Sequence, residues 1–347
     1  MKDSISPAPE RPDLPDLYRL MFRSRLFELA VRELWNRGLI SGEMHMSLGE
    51  EAIAAGIANH LGDGDALALD HRGTAPLIAR GIDLRSLLLE LLGRPEGLCG
   101  GRGGHMHLFS RPQLAASSGI VGASGPLGAG LALSCERLRP GRAAASFFGD
   151  GALNQGMLLE SFNLAAIWKL PLVFVCKDNR WAITTRSDSV TAGRLEDRVR
   201  GFGLPYDAVD GSDVEAVWSA ARTAFGRARC GDGPSFILAS CGRPEGHFLG
   251  DPLARLRKRP FQGGRPYAAS IVRSLVSPKG ARRGGRILNA KEILSTALEG
   301  GRQGPKARWD PVAKLRRRLS KDRTYLQTVE AEAAREIAGV LEEVLGN

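Results

Sequence analysis

Gly149-Asp150-Gly151 and, 29 positions after Asp150, Asn179 are the residues whose types and spacing point most directly to chemistry. Each closes a short apolar run, residues 143–148 (AAASFF) in the first case and 172–176 (LVFVC) in the second. A carboxylate and a carboxamide at the ends of two successive parallel strands share one rim, where open α/β sheets bind their ligands. One carboxylate, one amide oxygen and a backbone carbonyl near Trp181 would complete an Mg²⁺ octahedron with phosphate oxygens and water. Gly149 and Gly151 let backbone approach a diphosphate closely, and the start of the next helix offers N–H groups and a favourable dipole. A lone GDG is common in turns, and an Asp-Asn pair usually marks a loop. Both together, with Asn154-Gln155-Gly156 and two apolar runs at this spacing, favour a metal and diphosphate site.

The elements that must position these residues follow from the apolar periodicity. Met157, Leu158, Ser161, Phe162, Ala165 and Trp168 fall at helical spacing between the two runs, so the segment reads strand, helix, strand. Such a unit implies a parallel sheet covered by helices. Residues 65–70 and 235–239 read as further strands. Helices are expected over 17–40, 48–60, 83–92, 127–137 and 214–229, with Gly38 stopping the first. The glycine-rich stretch 97–126, carrying His105 and His107, reads as long functional loops. Residues 325–344 place Leu326, Val329, Ala333, Ile337, Val340 and Val344 on one face of an amphipathic helix. The alternation predicts an α/β fold with a mostly parallel sheet flanked by helices on both faces.

With 347 residues the chain can bury a sizeable core, and its 43% apolar and 25% charged residues suit a globular protein. No apolar run approaches the ~20 residues needed to span a bilayer. The proline-rich residues 1–16 read as a disordered lead-in and not as a signal peptide, which places the protein in the cytoplasm. Five cysteines without a C-x-x-C pair argue against a disulfide framework or a zinc site. The net charge of +10 is uneven: residues 251–329 hold 20 Lys/Arg against 5 Asp/Glu. Residues 256–309 read as a basic, Gly/Arg-rich and partly disordered insertion. They lie between a domain at 17–255 and a C-terminal helical segment at 310–347. A docking surface for an acidic protein competes with that reading, and the lack of aromatic interleaving disfavours nucleic acid.

The stretch GDGALNQGMLLESFNLAAIWKLPLVFVCKDN closely resembles the thiamin-diphosphate motif of alpha subunits in the pyruvate, branched-chain 2-oxo acid and acetoin dehydrogenase family. The resemblance covers about residues 15–255 and resumes around 310–345, with other motifs in the family's order. It implies the thiamin-diphosphate-binding fold, with thiamin diphosphate and Mg²⁺ as cofactors. Asp150, the Asn179 side chain and the Trp181 carbonyl are then the metal ligands. Gly149, Gly151 and Ala152 lie in the same motif. Asp178 replaces the first Asn of the usual Asn-Asn pair, a position not expected to bind the metal.

By the same resemblance His71-Arg72 places Arg72 against the diphosphate, where a guanidinium donates two parallel hydrogen bonds. Thr74-Ala75 departs from the His-Gly of many relatives. Gly119 and Val121 resemble the loop whose backbone holds the aminopyrimidine. The segment Met44 to Glu51 resembles a motif whose histidine, here His45, faces the substrate. Gly104-His105-Met106-His107 resembles a loop lining the site; its two histidines lack a third ligand at zinc spacing. Residues 243–251 resemble a mobile active-site loop in which His247 contacts the cofactor and stabilises the intermediate or transfers a proton near neutral pH. Phe248 stands where mitochondrial members carry a regulatory Ser, so that switch is expected to be absent.

The resemblance implies decarboxylation of a 2-oxo acid, or acetoin chemistry, with acyl transfer to a lipoyl-bearing acyltransferase. It also implies a separate beta subunit, in an α2β2 heterotetramer, that supplies a Glu against the aminopyrimidine. Two alternatives stand beside it: a biosynthetic carboligase or acyl-transfer subunit without a lipoyl acceptor, and a non-catalytic regulatory pseudo-subunit.

Overall fold

The computed structural model describes residues 10–250 and 309–346, with Ile287 and Lys291 as isolated positions. Its sheet is built on strand β5 (Leu172–Asp178), which is apolar on both sides because both sides are covered. Val173 and Val175 enter one core, while Leu172, Phe174 and Cys176 enter another. Phe147 and Phe148 of β4 (Ala144–Gly149) divide between the same two cores. Alternation with period two therefore persists, but from Leu172 to Cys176 both sides of the strand are apolar.

The other strands are β1 (Ala66–Leu69), β2 (Phe109–Ser110), β3 (Ala115–Ser117), β8 (Tyr206–Asp210) and β9 (Ser235–Ser240). Among the described residues they form one seven-stranded sheet in the order β2-β3-β1-β4-β5-β9-β8. All pairings are parallel except β2 with β3. A small antiparallel hairpin, β6 (Trp181–Ala182) with β7 (Thr185–Arg186), lies beyond the end of β5. From β1 the chain moves outward to β3, then crosses back to β4 and continues to β5. This reversal between β1 and β4 is the kind of crevice in which such sheets hold ligands.

One face is covered by α2 (Glu51–Ala58), α3 (Thr74–Ala79), α4 (Leu84–Leu91) and α9 (Val214–Arg229), with α1 (Leu14–Asn36) beside them. The other carries α5 (Ser124–Leu138), α6 (Gly156–Ile167) and α8 (Leu195–Arg200). A short α7 (Ser187–Val190) follows the hairpin. In α9 the Asp213 side chain caps the first turn, and Val214, Val217, Trp218, Ala221, Ala224, Phe225 and Ala228 form its buried stripe. Two C-terminal helices, α10 (Pro311–Arg318) and α11 (Arg323–Leu345), pack on α1. Leu326 and Val329 of α11 share a cluster with Leu17, Tyr18 and Met21, and Arg23 forms an ion pair with Glu336.

The expected fold class is the observed one, with four local differences. Residues 97–126 are not loop throughout, because β2 and β3 extend the sheet there. The edge strand β8 reads Tyr-Asp-Ala-Val-Asp, too polar and exposed to signal a strand from its pattern. A 3-10 turn over Asp150–Asn154 separates the GDG residues from α6, so the backbone N–H groups nearest Asp150 belong to that turn. Helix α1 begins at Leu14, inside the expected lead-in; residues 1–9 lie outside the described residues. The expected insertion 256–309 also lies outside them, apart from Ile287, Lys291 and Trp309. No helix among the described residues is long and apolar enough to cross a membrane.

Candidate active site

Five strand ends deliver the site. Asp70, His71 and Arg72 follow β1, Gly119 follows β3, Asp150 follows β4, Asn179 follows β5, and Arg243 follows β9. A cavity of about 400 Å³ opens among them. His45, His71, Gly119, Val121, Gly149, Asp150, Gly151, Ala152, Trp181 and His247 all line it. Arg72 and Asn179 adjoin it without lining it. Arg72 is buried and donates instead to the carbonyls of Met46 and His247. The Asn179 side-chain oxygen accepts from the Trp181 N–H at 3.2 Å.

The buried Asp150 carboxylate accepts a hydrogen bond from Ser187 on one oxygen, while its Oδ1 has no hydrogen-bond partner among the described residues. Burial raises its pKa to about 6. A Cβ on Gly151 would stand 2.8 Å from the Ala182 Cβ, so the hairpin presses directly on the GDG turn. Gly122 has φ +87° and is equally close-packed, with Gln155 Cβ 2.9 Å from a hypothetical side chain.

Beneath the cavity lies a buried ionic network. Lys177 Nζ is 2.8 Å from Glu50 and 2.9 Å from Asp70, and Arg243 Nε is 3.2 Å from the other Glu50 oxygen. Burial opposes the charge on Lys177, but Asp70 and Glu50 outweigh it and raise its pKa. Burial likewise opposes ionisation of Glu50, and the cations Lys177 and Arg243 hold it below the usual carboxylate range. Arg243 is the single Lys or Arg lining the cavity among the described residues.

Three histidines line one wall, and a fourth, His105, contacts one of them. The His45 ring stacks edge-on to His71 and His247, with centroids 4.6 and 4.9 Å away, and its Nδ1 is 2.8 Å from His105 Nε2. Ring nitrogens of His45, His71 and His247 lie within 4.8 Å of one another. Burial, then the Arg72 charge, lowers the pKa of His45 and His71 to about 2 and of His247 to about 3. The rings are therefore neutral at physiological pH. This differs from the expectation that His247 titrates near neutrality, because neither its burial nor its approach to Arg72 is visible in the local sequence.

Thr74 acquires a specific role. Its hydroxyl contacts Glu28 Oε1 and lies 3.1 Å from Ser47 Oγ, which in turn is 3.1 Å from the Arg72 carbonyl oxygen. Three oxygen–oxygen contacts need three hydrogens, and the two hydroxyls supply two. A protonated Glu28 supplies the third, consistent with burial raising its carboxyl to about 7. The chain Glu28–Thr74–Ser47 thus braces the His71-Arg72 turn from behind.

Sequence reasoning passed over Lys177, Asp70 and Glu28 as site-forming residues, and quoted Glu50 and His105 only within longer motifs. It quoted Arg243 only as part of a loop. A polar residue inside an otherwise apolar strand, as at Lys177, is the one signal that could have marked the network.

A family model, Dehydrogenase E1 component, matches residues 18–263. The alpha subunit of an acetoin:2,6-dichlorophenolindophenol oxidoreductase from Cupriavidus necator is 42% identical over 252 residues, covering 72% of this chain and 76% of that protein. Its counterpart from Bacillus subtilis is 41% identical over 237 residues, 68% and 71% of the two chains. A pyruvate dehydrogenase E1 component subunit alpha from Zymomonas mobilis is 40% identical over 255 residues, 72% and 71%. The chain belongs to the dehydrogenase E1 component family, as an alpha subunit of a thiamin-diphosphate-dependent oxidoreductase.

Proposed function

We propose that this chain binds thiamin diphosphate through Mg²⁺ at the Asp150 rim and, with a beta subunit, decarboxylates a 2-oxo acid or cleaves acetoin, passing the acyl group to a lipoyl carrier. The observation that carries this reading is the buried Asp150 Oδ1 on the cavity wall, which has no partner among the described residues. A hard carboxylate oxygen left without a donor inside a protein is costly unless a cation or proton meets it. Asn179 and the Trp181 carbonyl stand beside it as the remaining protein ligands, and Arg243 supplies positive charge for a diphosphate. The cavity falls within the ~300–1,000 Å³ of typical small-molecule sites. These residues fit the cofactor.

The bound cofactor supplies an electron sink for the bond that breaks. The chain's own groups do the rest. Gly119 and Val121 offer backbone to its ring, and the neutral rings of His45, His71 and His247 offer hydrogen bonds at the substrate side. Phe248 and Ile183 add apolar surface to the same cavity. We place the active form as an α2β2 heterotetramer in the cytoplasm; all five cysteines are free, which suits a reducing compartment.

Thr74 gives the carboligase alternative no support, since its hydroxyl serves the Glu28 chain. Nor does any feature among the described residues favour the pseudo-subunit. The test is co-expression with the beta subunit, followed by calorimetric titration of thiamin diphosphate with Mg²⁺ and a 2-oxo acid screen with and without lipoylated acceptor. Mg²⁺-dependent binding abolished by Asp150→Ala, with product transferred to the acceptor, is the expected result. Cofactor binding insensitive to Asp150→Ala would overturn it.

A further inference from the structure

Glu90, in the last turn of α4, is fully buried, and its carboxylate faces a glycine loop. One oxygen accepts from the backbone N–H groups of Cys99 and Gly101 at 2.6 and 2.9 Å, and the other from Gly103 and Gly104 at 2.7 and 3.1 Å. The loop cannot shift without stranding a buried carboxylate. Its glycines are sterically required: a Cβ would stand 2.6 Å from Glu90 backbone at Gly97 and 2.1 Å from the His107 carbonyl oxygen at Gly103. The residue after this pinned run is His105, itself buried.

His105 does not line the cavity; its Nε2 meets His45 Nδ1 at 2.8 Å. Burial, Arg72 and His107 lower its pKa to about 4, so two neutral rings share this contact. A neutral imidazole has one N–H and one lone pair. One ring must therefore donate to the other, and that choice fixes which hydrogen the cavity-facing edge of His45 carries. A 2-oxo acid presents only acceptors, a carboxylate and a carbonyl, so the useful state has a donor facing it.

We propose that His105 is a positioning residue: its Nε2–H donates to His45 Nδ1 and thereby holds His45 as the tautomer that presents Nε2–H to the substrate. The need for a donor rests on the 2-oxo acid reading; the tautomer itself does not. Groups packed around His45 that share its electrostatics are Arg72, His71, His247 and His105.

The test uses the full chain labelled with ¹⁵N-histidine, tractable because it has only six histidines. Long-range ¹H–¹⁵N spectra should show His45 protonated at Nε2. In His105→Phe, which keeps a ring but removes the hydrogen bond, both His45 tautomers should appear. His105→Gln, whose amide can donate, should restore the original signal. With the beta subunit, His105→Phe should lose about tenfold in kcat/KM, the equivalent of one hydrogen bond. Its pH profile should shift, while cofactor affinity and melting temperature hold. His45 protonated at Nδ1 in the unsubstituted chain, or a His45 tautomer unmoved in His105→Phe, would sink the inference even if the enzyme is active. A confirmed tautomer in a chain that turns over no 2-oxo acid would instead fault the functional reading.

Discussion

The Ser187 hydroxyl donates to Oδ2 of Asp150, so one carboxylate oxygen is held by the protein while Oδ1 is left for something else. Ser187 sits just beyond the β6–β7 hairpin, and that hairpin rests on Gly151. A ligand carboxylate oriented in this way costs less entropy to engage a cation. Ser187→Ala should raise the Mg²⁺ concentration for half-maximal cofactor binding about tenfold, and Ser187→Thr should restore it. Calorimetric Mg²⁺ titration checks this; an unchanged half-saturation point would make the contact incidental.

A second prediction concerns pH. Burial sets the Asp150 carboxyl at about 6, and a cation binds only its ionised form. Mg²⁺ affinity should be level above pH ~7 and fall by up to about tenfold per unit below pH ~6. Titrations at four pH values measure it, and a flat profile would remove Asp150 from the ligand set.

Glu28 offers a pH effect on stability itself. Its folded pKa of about 7 lies above the ordinary carboxylate value of 4.5, so the folded chain binds the extra proton between those limits. Its contribution is fully present below pH 4.5 and is lost as pH rises through 7, by roughly 3 kcal/mol at most. Glu28→Gln should flatten that part of the stability curve. Urea denaturation at pH 5 and pH 8 gives the answer: equal slopes in both proteins would show that Glu28 is ionised in the fold.

Lys177→Met should be severely destabilising. It leaves the Asp70 and Glu50 carboxylates buried without their shared ammonium, although Glu50 keeps Arg243. Breaking one partner out of such a network costs about 3–5 kcal/mol. A loss below 1 kcal/mol in chemical denaturation would mean that water replaces the ammonium.

Much of this architecture was legible because β4 and β5 are dominated by short apolar runs and α9 carries an unambiguous stripe. The rim residues Asp150 and Asn179 were legible because strand ends are where such runs stop. What escaped depends on distance along the chain. His105 lies 60 residues from His45, and Lys177 lies 107 from Asp70. No local pattern encodes such meetings. Arg72, expected at the diphosphate from its motif, donates to the His247 carbonyl, and Arg243, not singled out, lines the cavity wall. Two guanidiniums at one rim cannot be told apart by composition.

The knot at Lys177 joins β5 to the turn after β1 and to the residue that opens α2, and through Glu50 it reaches the segment after β9. Three stretches of chain that carry chemistry are thus fastened to the centre of the sheet by a single ammonium. Heating should consequently release the cofactor pocket and the sheet in the same calorimetric transition, with no earlier partial melt of the pocket alone. Variation that retunes substrate choice has room in the loops above this knot, whereas change within it is paid in the folding of the whole subunit.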